Sequence, residues 1–294
     1  MNGMLTCAEH FNVAEVMENV DGVFFTGGED ISPSLFAKPQ AEANHGEEIN
    51  ATRDISDYTL MSYCIANDVP TFAACRGMQM MSIVSGADFI QDIPDYYASL
   101  GAEYNDLHRM PADAPNRDYA RHDVDIIDKD SWVYKIVGDT VLENVSSWHH
   151  QAVKSVEGTD LTVVAKTTDN GVDIIEGVEN KNNTFCVGMQ FHPENDCSLV
   201  LYQGKEAPCD FDTCLGFFEL WWTPLPDSGI QIHHNETKGP AKLAGPSFSL
   251  FSPCIARQGN LQSRPPWREG GLRLKKRMCA QTDKNCPCLA DTGQ

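Results

Sequence analysis

The hydrophobic and polar positions of the first hundred residues alternate between two periods. Val20-Asp21-Gly22-Val23-Phe24-Phe25 reads as a buried strand that stops at a glycine turn, Thr26-Gly27-Gly28. Over roughly 53–67, Ile55, Leu60, Met61, Cys64 and Ile65 fall on one helical face, with Thr52 as N-cap. Asn67-Asp68 ends that helix, Pro70 follows, and Thr71-Phe72-Ala73-Ala74 reads as the next strand. A second helix starts near Gly77, packs Met78, Met81, Ile83 and Val84, and closes at Gly86. This β-α-β-α order predicts a parallel sheet with helices on both faces. Residues 88–125 read as loop-rich, with Pro94, Pro111 and Pro115. Stretches 122–127, 152–156, 161–167, 172–178 and 184–191 then read as strands joined by short turns, an antiparallel section. Segment 211–222 reads as a closing helix. Beyond it the periodicity stops.

Composition divides the chain at the same place. The 294 residues carry 42 Asp+Glu against 22 Lys+Arg, a formal charge of −20. From Thr223 onward the balance reverses, with 10 basic against 5 acidic residues and 8 of the 16 prolines. The expected organisation is a domain over 1–222 and an irregular, basic, Pro/Gly-rich tail over 223–294. So acidic a body argues against nucleic acid as partner, because phosphate binding needs a basic face. The chain has no run of 18 apolar residues, the length a membrane span needs, and the first 20 residues lack the basic start and apolar block of a signal peptide. A cytoplasmic location is expected. The 11 cysteines form no C-x-x-C pair and are expected to be reduced, with Cys7, Cys64 and Cys186 as small core residues. The irregular spacing of Cys197, Cys209 and Cys214, like His233-His234 and Cys286-Pro287-Cys288 in the tail, does not match the paired spacing of a structural zinc site. No metal and no cofactor are expected.

Two motifs carry chemistry. Ala73-Ala74-Cys75-Arg76-Gly77 places a cysteine on a sharp strand-to-helix turn, where small neighbours are required and the helix N-terminus favours a thiolate. The backbone N–H of Arg76 then points to where an oxyanion would form. Gly188-Met189-Gln190-Phe191-His192-Pro193-Glu194 ends a strand, and in extended chain His192 and Glu194 point the same way. A carboxylate beside an imidazole holds one tautomer and stabilises the imidazolium. Taken singly, the first motif also fits a buried structural cysteine and the second a surface turn.

Together with Asp21-Gly22-Val23-Phe24-Phe25-Thr26-Gly27-Gly28-Glu29-Asp30-Ile31-Ser32-Pro33, Arg53-Asp54 and Ser147-Trp148-His149-His150-Gln151-Ala152, these blocks stand in an order that resembles the class I glutamine amidotransferase-like hydrolases, particularly the γ-glutamyl-γ-aminobutyrate hydrolases. The resemblance covers about residues 20–222. It implies an α/β, flavodoxin-like three-layer fold with a mostly parallel sheet and an antiparallel section. It also implies Cys75 as nucleophile, His192 as general base and later acid, and Glu194 as the orienting carboxylate. The oxyanion hole would be the backbone N–H groups of Gly28 and Arg76. Gln79, His149 and Gln151 would border the substrate. His150 is a weaker candidate, Arg53 and Asp54 fit capping and helix-dipole work, and Asp30 fits a cap of the glycine turn. The implied activity is hydrolysis of a small-molecule γ-glutamyl amide, of the kind used in polyamine breakdown. A homo-oligomer is compatible with it. Alternatives are a glutaminase subunit handing ammonia to a partner synthase and an inactive, truncated remnant that only binds ligand.

The chain departs from the resemblance twice. Family members carry a further βα unit before the Asp-Gly strand, and the 20 residues preceding it here suffice for one helix, His10 to Asn19, but not for that strand. Its absence is expected to leave a sheet edge exposed, as if Met1 were not the true start or the chain were a fragment. The tail has no counterpart in the family.

Overall fold

The computed structural model describes residues 12–36, 49–115, 118–222 and 254–256. A short helix α1 (Val13–Met17) precedes strand β1 (Gly22–Phe25), and a 3-10 turn at Pro33–Phe36 leads to α2 (Ala51–Ala66). Strand β2 (Thr71–Ala74) runs into α3 (Arg76–Val84). Next come β3 (Asp88–Ile90), α4 (Ile93–Leu100), β4 (Ala120–Ile126), α5 (Trp132–Val137) and β5 (Val141–Ser147). The body ends with β6 (Ala152–Ser155), β7 (Leu161–Asp169), β8 (Val172–Asn180), β9 (Cys186–Met189), α6 (Pro193–Leu201) and α7 (Phe211–Trp222). A last strand, β10, is Cys254–Ala256.

The main sheet has the order β10-β1-β2-β9-β8-β7-β4-β5. The parallel section is β1-β2-β9, and everything from β9 outward to β5 is antiparallel. Strands β3 and β6 form a separate antiparallel pair, so the stretch at 152–156 lies outside the main antiparallel section. Alternation along the buried parallel strands supplies two cores. Phe24, Phe72, Ala74 and Val187 face α5, α6 and α7 through Ile136, Cys197 and Phe217. Val23, Phe25, Ala73 and Cys186 face α2 and α3 through Leu60, Met61, Met78 and Met81. Helices therefore cover both faces, giving the three-layer α/β arrangement.

Several boundaries differ from the sequence reading for identifiable reasons. The cap of α2 is Asn50, whose side chain accepts from the Arg53 N–H, rather than Thr52. The loop-rich region holds β3 and α4: Pro94 lies in the first turn of α4, where its missing N–H costs nothing, behind the N-cap Asp92. Left-handed Gly101 closes that helix (φ 71°). The edge of β1 is paired antiparallel with β10, Val23 opposite Ile255. The remaining residues of the tail, and Cys7, lie outside the described residues. No helix among the described residues is long and apolar enough to cross a membrane.

Glu179 on β8 is buried and accepts the Val133 N–H at 3.0 Å, at the start of α5. Burial pushes its carboxyl up to about 7. The folded chain thus holds this proton more tightly than the unfolded one. The resulting stability is full below the unfolded carboxyl pKa and is lost as pH rises through about 7. Glu179→Gln keeps the acceptor and should flatten that slope, stabilising the protein by about 2–3 kcal/mol at pH 8. Urea unfolding of both proteins at pH 5 and pH 8 checks this; equal slopes would refute it.

Candidate active site

The ends of the three parallel strands converge on Cys75. The chain leaves β2 and enters α3 with Cys75 at φ 50°, ψ −109°, a strained conformation for a residue with a side chain. Two features hold it there. The Cys75 N–H donates to Met189 O at 2.8 Å, tying the elbow to β9. Gly77 lets α3 lie against β1: a Cβ there would run into Phe25 O and come within 2.7 Å of Phe25 Cβ. The strand-turn-helix read from the pentapeptide is therefore present. The Arg76 N–H belongs to the first turn of α3, whose amides have no intrahelical acceptor.

His192 is the N-cap of α6 and its N–H donates to Ser146 O at 2.8 Å. Its Nδ1 lies 2.6 Å from Glu194 Oε1. The two meet across a strand-to-helix turn with Pro193 in the first helical turn, not along extended chain as expected. Gly27 separates the imidazole from the nucleophile; a Cβ on it would be 2.7 Å from His192 Cε1 and 3.5 Å from Cys75 Cβ. Among the described residues His192 Nε2 has no aligned hydrogen-bond partner. Burial disfavours charge on this imidazole, but Glu194 and the Cys75 sulfur outweigh it and raise its pKa well above the ordinary value. That favours the imidazolium form of His192. Tyr119 packs edge-on against His192 with ring centroids 5.2 Å apart.

Gly28 has φ 150° and passes directly over Arg53, whose Nη1 a Cβ would strike. Arg53 Nη2 donates to Gly27 O at 2.8 Å and Thr26 O at 3.2 Å, and Nη1 to Glu29 Oε2 at 2.6 Å. Asp57 accepts from Arg53 Nε at 3.2 Å and also from Arg76, whose other arm reaches Asp54 Oδ1 at 2.5 Å. Asp54 Oδ2 accepts the Ser32 N–H at 3.0 Å. Burial pushes the carboxyls of Asp54 and Asp57 up, only partly countered by the arginines. Arg53 and Asp54 thus do more than cap and complement a helix. They belong to a buried charge network that fastens the glycine turn and the elbow, the two backbone stretches expected to hold an oxyanion, to the same helix, α2.

The Trp148–Gln151 loop lies on the far side of Cys75, with Trp148 O 3.9 Å from its sulfur. Gln79 is buried and spends its amide nitrogen on Gln151 O at 3.1 Å, joining α3 to this loop. His149 is also buried, with Nδ1 2.9 Å from Gln151 O. Burial is the largest single effect on His150 and opposes its charge, but Asp30 (3.0 Å) and Asp92 (3.1 Å) together outweigh it and raise the pKa to about 9. Asp30 is therefore a partner of His150. Two residues around the site escaped the sequence reading: Tyr119, which packs against Trp148 and His192, and Arg109, whose guanidinium lies 5.5 Å from the Trp148 ring centroid. No local pattern marks them. Cys197, Cys209 and Cys214 are buried core thiols. A metal-type set of donors does exist, in residues the expectation of no metal had not weighed: His108, His122, His149 and Glu176.

The Peptidase C26 family model matches residues 4–194. Protein NtpR of Enterococcus hirae is 33% identical over 180 residues, covering 60% of this chain and 68% of that protein. Gamma-glutamyl-gamma-aminobutyrate hydrolase PuuD of Escherichia coli (strain K12) is 25% identical over 210 residues, covering 69% of this chain and 77% of that protein. Among solved structures, the glutaminase domain of Trypanosoma brucei CTPS with bound acivicin is 20% identical, covers 74% of this chain and 86% of that chain, and superposes with a TM-score of 0.43.

Proposed function

The chain belongs to the Peptidase C26, glutamine amidotransferase-like family, and from that premise we propose that it is a cysteine hydrolase of γ-glutamyl amides. The observation that carries the reading is Cys75 at positive φ on the elbow, with the His192–Glu194 pair at 2.6 Å across Gly27. The Cys75 thiolate attacks the γ-amide carbon, and the Gly28 and Arg76 N–H groups receive the oxyanion. His192 gives its proton to the departing amine, leaving a γ-glutamyl thioester. Water, deprotonated by His192, then attacks the thioester; glutamate leaves and Cys75 is restored as thiolate beside an imidazolium. Glu194 holds the imidazole with Nε2 towards the sulfur throughout. The name of the PuuD relative supports γ-aminobutyrate as one amine, and the substrate is a small molecule.

The test offers the purified chain a panel of γ-glutamyl amides, with free glutamine among them, and measures released glutamate and amine. Equal amounts of both are expected, with a γ-glutamyl adduct on Cys75 trapped by acid quench. Turnover of glutamine alone would favour an ammonia-supplying glutaminase. Absence of glutamate release from every substrate would overturn the reading.

A further inference from the structure

We propose that His108, His122, His149 and Glu176 form a buried site for one divalent transition-metal ion, zinc by the chemistry of its donors. The four come from four places: the stretch after α4, strand β4, the β5–β6 loop and strand β8. One donor atom from each lies within 4.8 Å of all the others. Exposure is 0% for His108 and Glu176, 6% for His122 and 4% for His149. Such a gathering of imidazoles around a carboxylate is costly to bury unless something satisfies it.

Among the described residues no aligned hydrogen bond does: His122 Nε2, His149 Nε2, both nitrogens of His108 and both oxygens of Glu176 lack a hydrogen-bond partner there and meet only one another. His108 Nδ1 comes to 3.1 Å from Glu176 Oε1 without hydrogen-bond alignment, and His149 Nε2 to 3.6 Å. These contacts are close enough for a common centre and poorly aimed at each other.

The outer contacts fix which nitrogen faces inward. His149 Nδ1 lies 2.9 Å from Gln151 O, an acceptor only, so Nδ1 carries the proton and Nε2 presents its lone pair to the cluster. His122 Nδ1 lies 3.0 Å from Thr167 Oγ1 and 3.1 Å from Asp123 O. Thr167 already donates to Asp123 O at 2.8 Å, so its hydroxyl accepts from His122 and again Nε2 is left bare. A ring N–H held by a carbonyl or hydroxyl is the outer-shell arrangement that orients metal-binding histidines. Three imidazoles and one carboxylate suit zinc, and four protein donors in a fully buried position describe a closed, structural site.

The ion would act on the active site through the backbone. His108 O accepts the His149 N–H at 2.9 Å and Ser147 Oγ–H at 3.1 Å. The loop so held carries Trp148 O to the Cys75 sulfur. The site stands or falls independently of the γ-glutamyl reading, since metal content is measured without a substrate.

The full chain, purified without chelator, is analysed for bound metal, then stripped, titrated with Zn²⁺ while its melting temperature is followed, and reconstituted with Co²⁺. Expected are about one zinc per chain and a rise in melting temperature of about 5 °C or more on titration. The cobalt form should show the visible bands of tetrahedral coordination without a near-ultraviolet thiolate charge-transfer band. Cys75→Ala should keep the metal; His122→Ala and Glu176→Gln should lose it. A stripped chain that melts cooperatively at a temperature unmoved by Zn²⁺ overturns the site, without need of a folded variant. So does metal that disappears in Cys75→Ala, which would put the ion on the nucleophile.

Discussion

Cys75→Ala should abolish glutamate release, lowering kcat by about 10⁴–10⁶-fold with the melting temperature little changed. The side chain lost is small, and the left-handed conformation it occupies is no easier for alanine, so the elbow keeps its strain and its shape. What disappears is the atom that forms the thioester. His192→Ala should cost a comparable factor, because Cys75 would lose both the cation that stabilises its thiolate and the donor that protonates the amine. The double variant should be no worse than either single one, since the two act as a unit. Glu194→Gln should cost about 10²–10⁴-fold: the imidazole keeps a neighbour but loses the charge that sets its tautomer. Steady-state kinetics of the four variants and the parent on one γ-glutamyl amide decide this. A Cys75→Ala enzyme within tenfold of the parent would remove the sulfur from the mechanism, and additive losses in the double variant would separate His192 from it.

The parts of this site that could be read from sequence are those in which a few neighbouring residues contain both the shape and the chemistry. Ala73 to Gly77 specify a tight strand-to-helix turn by size alone, and His192-Pro193-Glu194 places base and carboxylate two residues apart. Strands β1 and β2 were legible for the same reason, as short apolar runs ended by glycine or a small residue, whereas β9, read with the antiparallel stretches, also pairs parallel with β2. What escaped was assembled across the fold. Arg53 reads as the first turn of a helix, and nothing local announces that its guanidinium underlies the glycine turn 26 residues earlier. Gln79 reads as a substrate contact because it follows the nucleophile by one turn, and nothing local announces that its amide nitrogen also ties α3 to the Gln151 carbonyl. The four donors of the proposed metal site come from four elements with no repeating interval. Pro94 misled in the opposite sense, marking a helix start where proline suggested loop. Strand β10, three residues in a Pro-rich tail, has its meaning only beside β1.

The charge network beneath the oxyanion region leads to the second large effect. Asp57→Ala should destabilise the fold by about 3–5 kcal/mol, because it leaves two buried guanidiniums, Arg53 and Arg76, without their shared carboxylate. Urea unfolding measures it, with exposed Tyr58→Ala as the neighbouring control expected within about 0.5 kcal/mol of the parent. A loss under 1 kcal/mol would mean that water or Asp54 takes over the role of Asp57. Stability alone does not explain why so costly an arrangement is buried here, since burial pushes both aspartates up and the arginines only partly compensate. An apolar replacement of the whole group could hold the helices together as well. What it could not do is place the Gly27 carbonyl and the elbow relative to each other, because Arg53 grips the turn and Arg76 the helix that follows Cys75, both through Asp57. Replacing the whole group, with Arg53→Met, Asp54→Leu, Asp57→Leu and Arg76→Met together, should therefore recover much of the lost stability but not the activity, leaving kcat reduced by about 10²–10³-fold with KM little changed, the signature of a misplaced oxyanion donor. Recovery of kcat along with stability would show that the network only holds the fold.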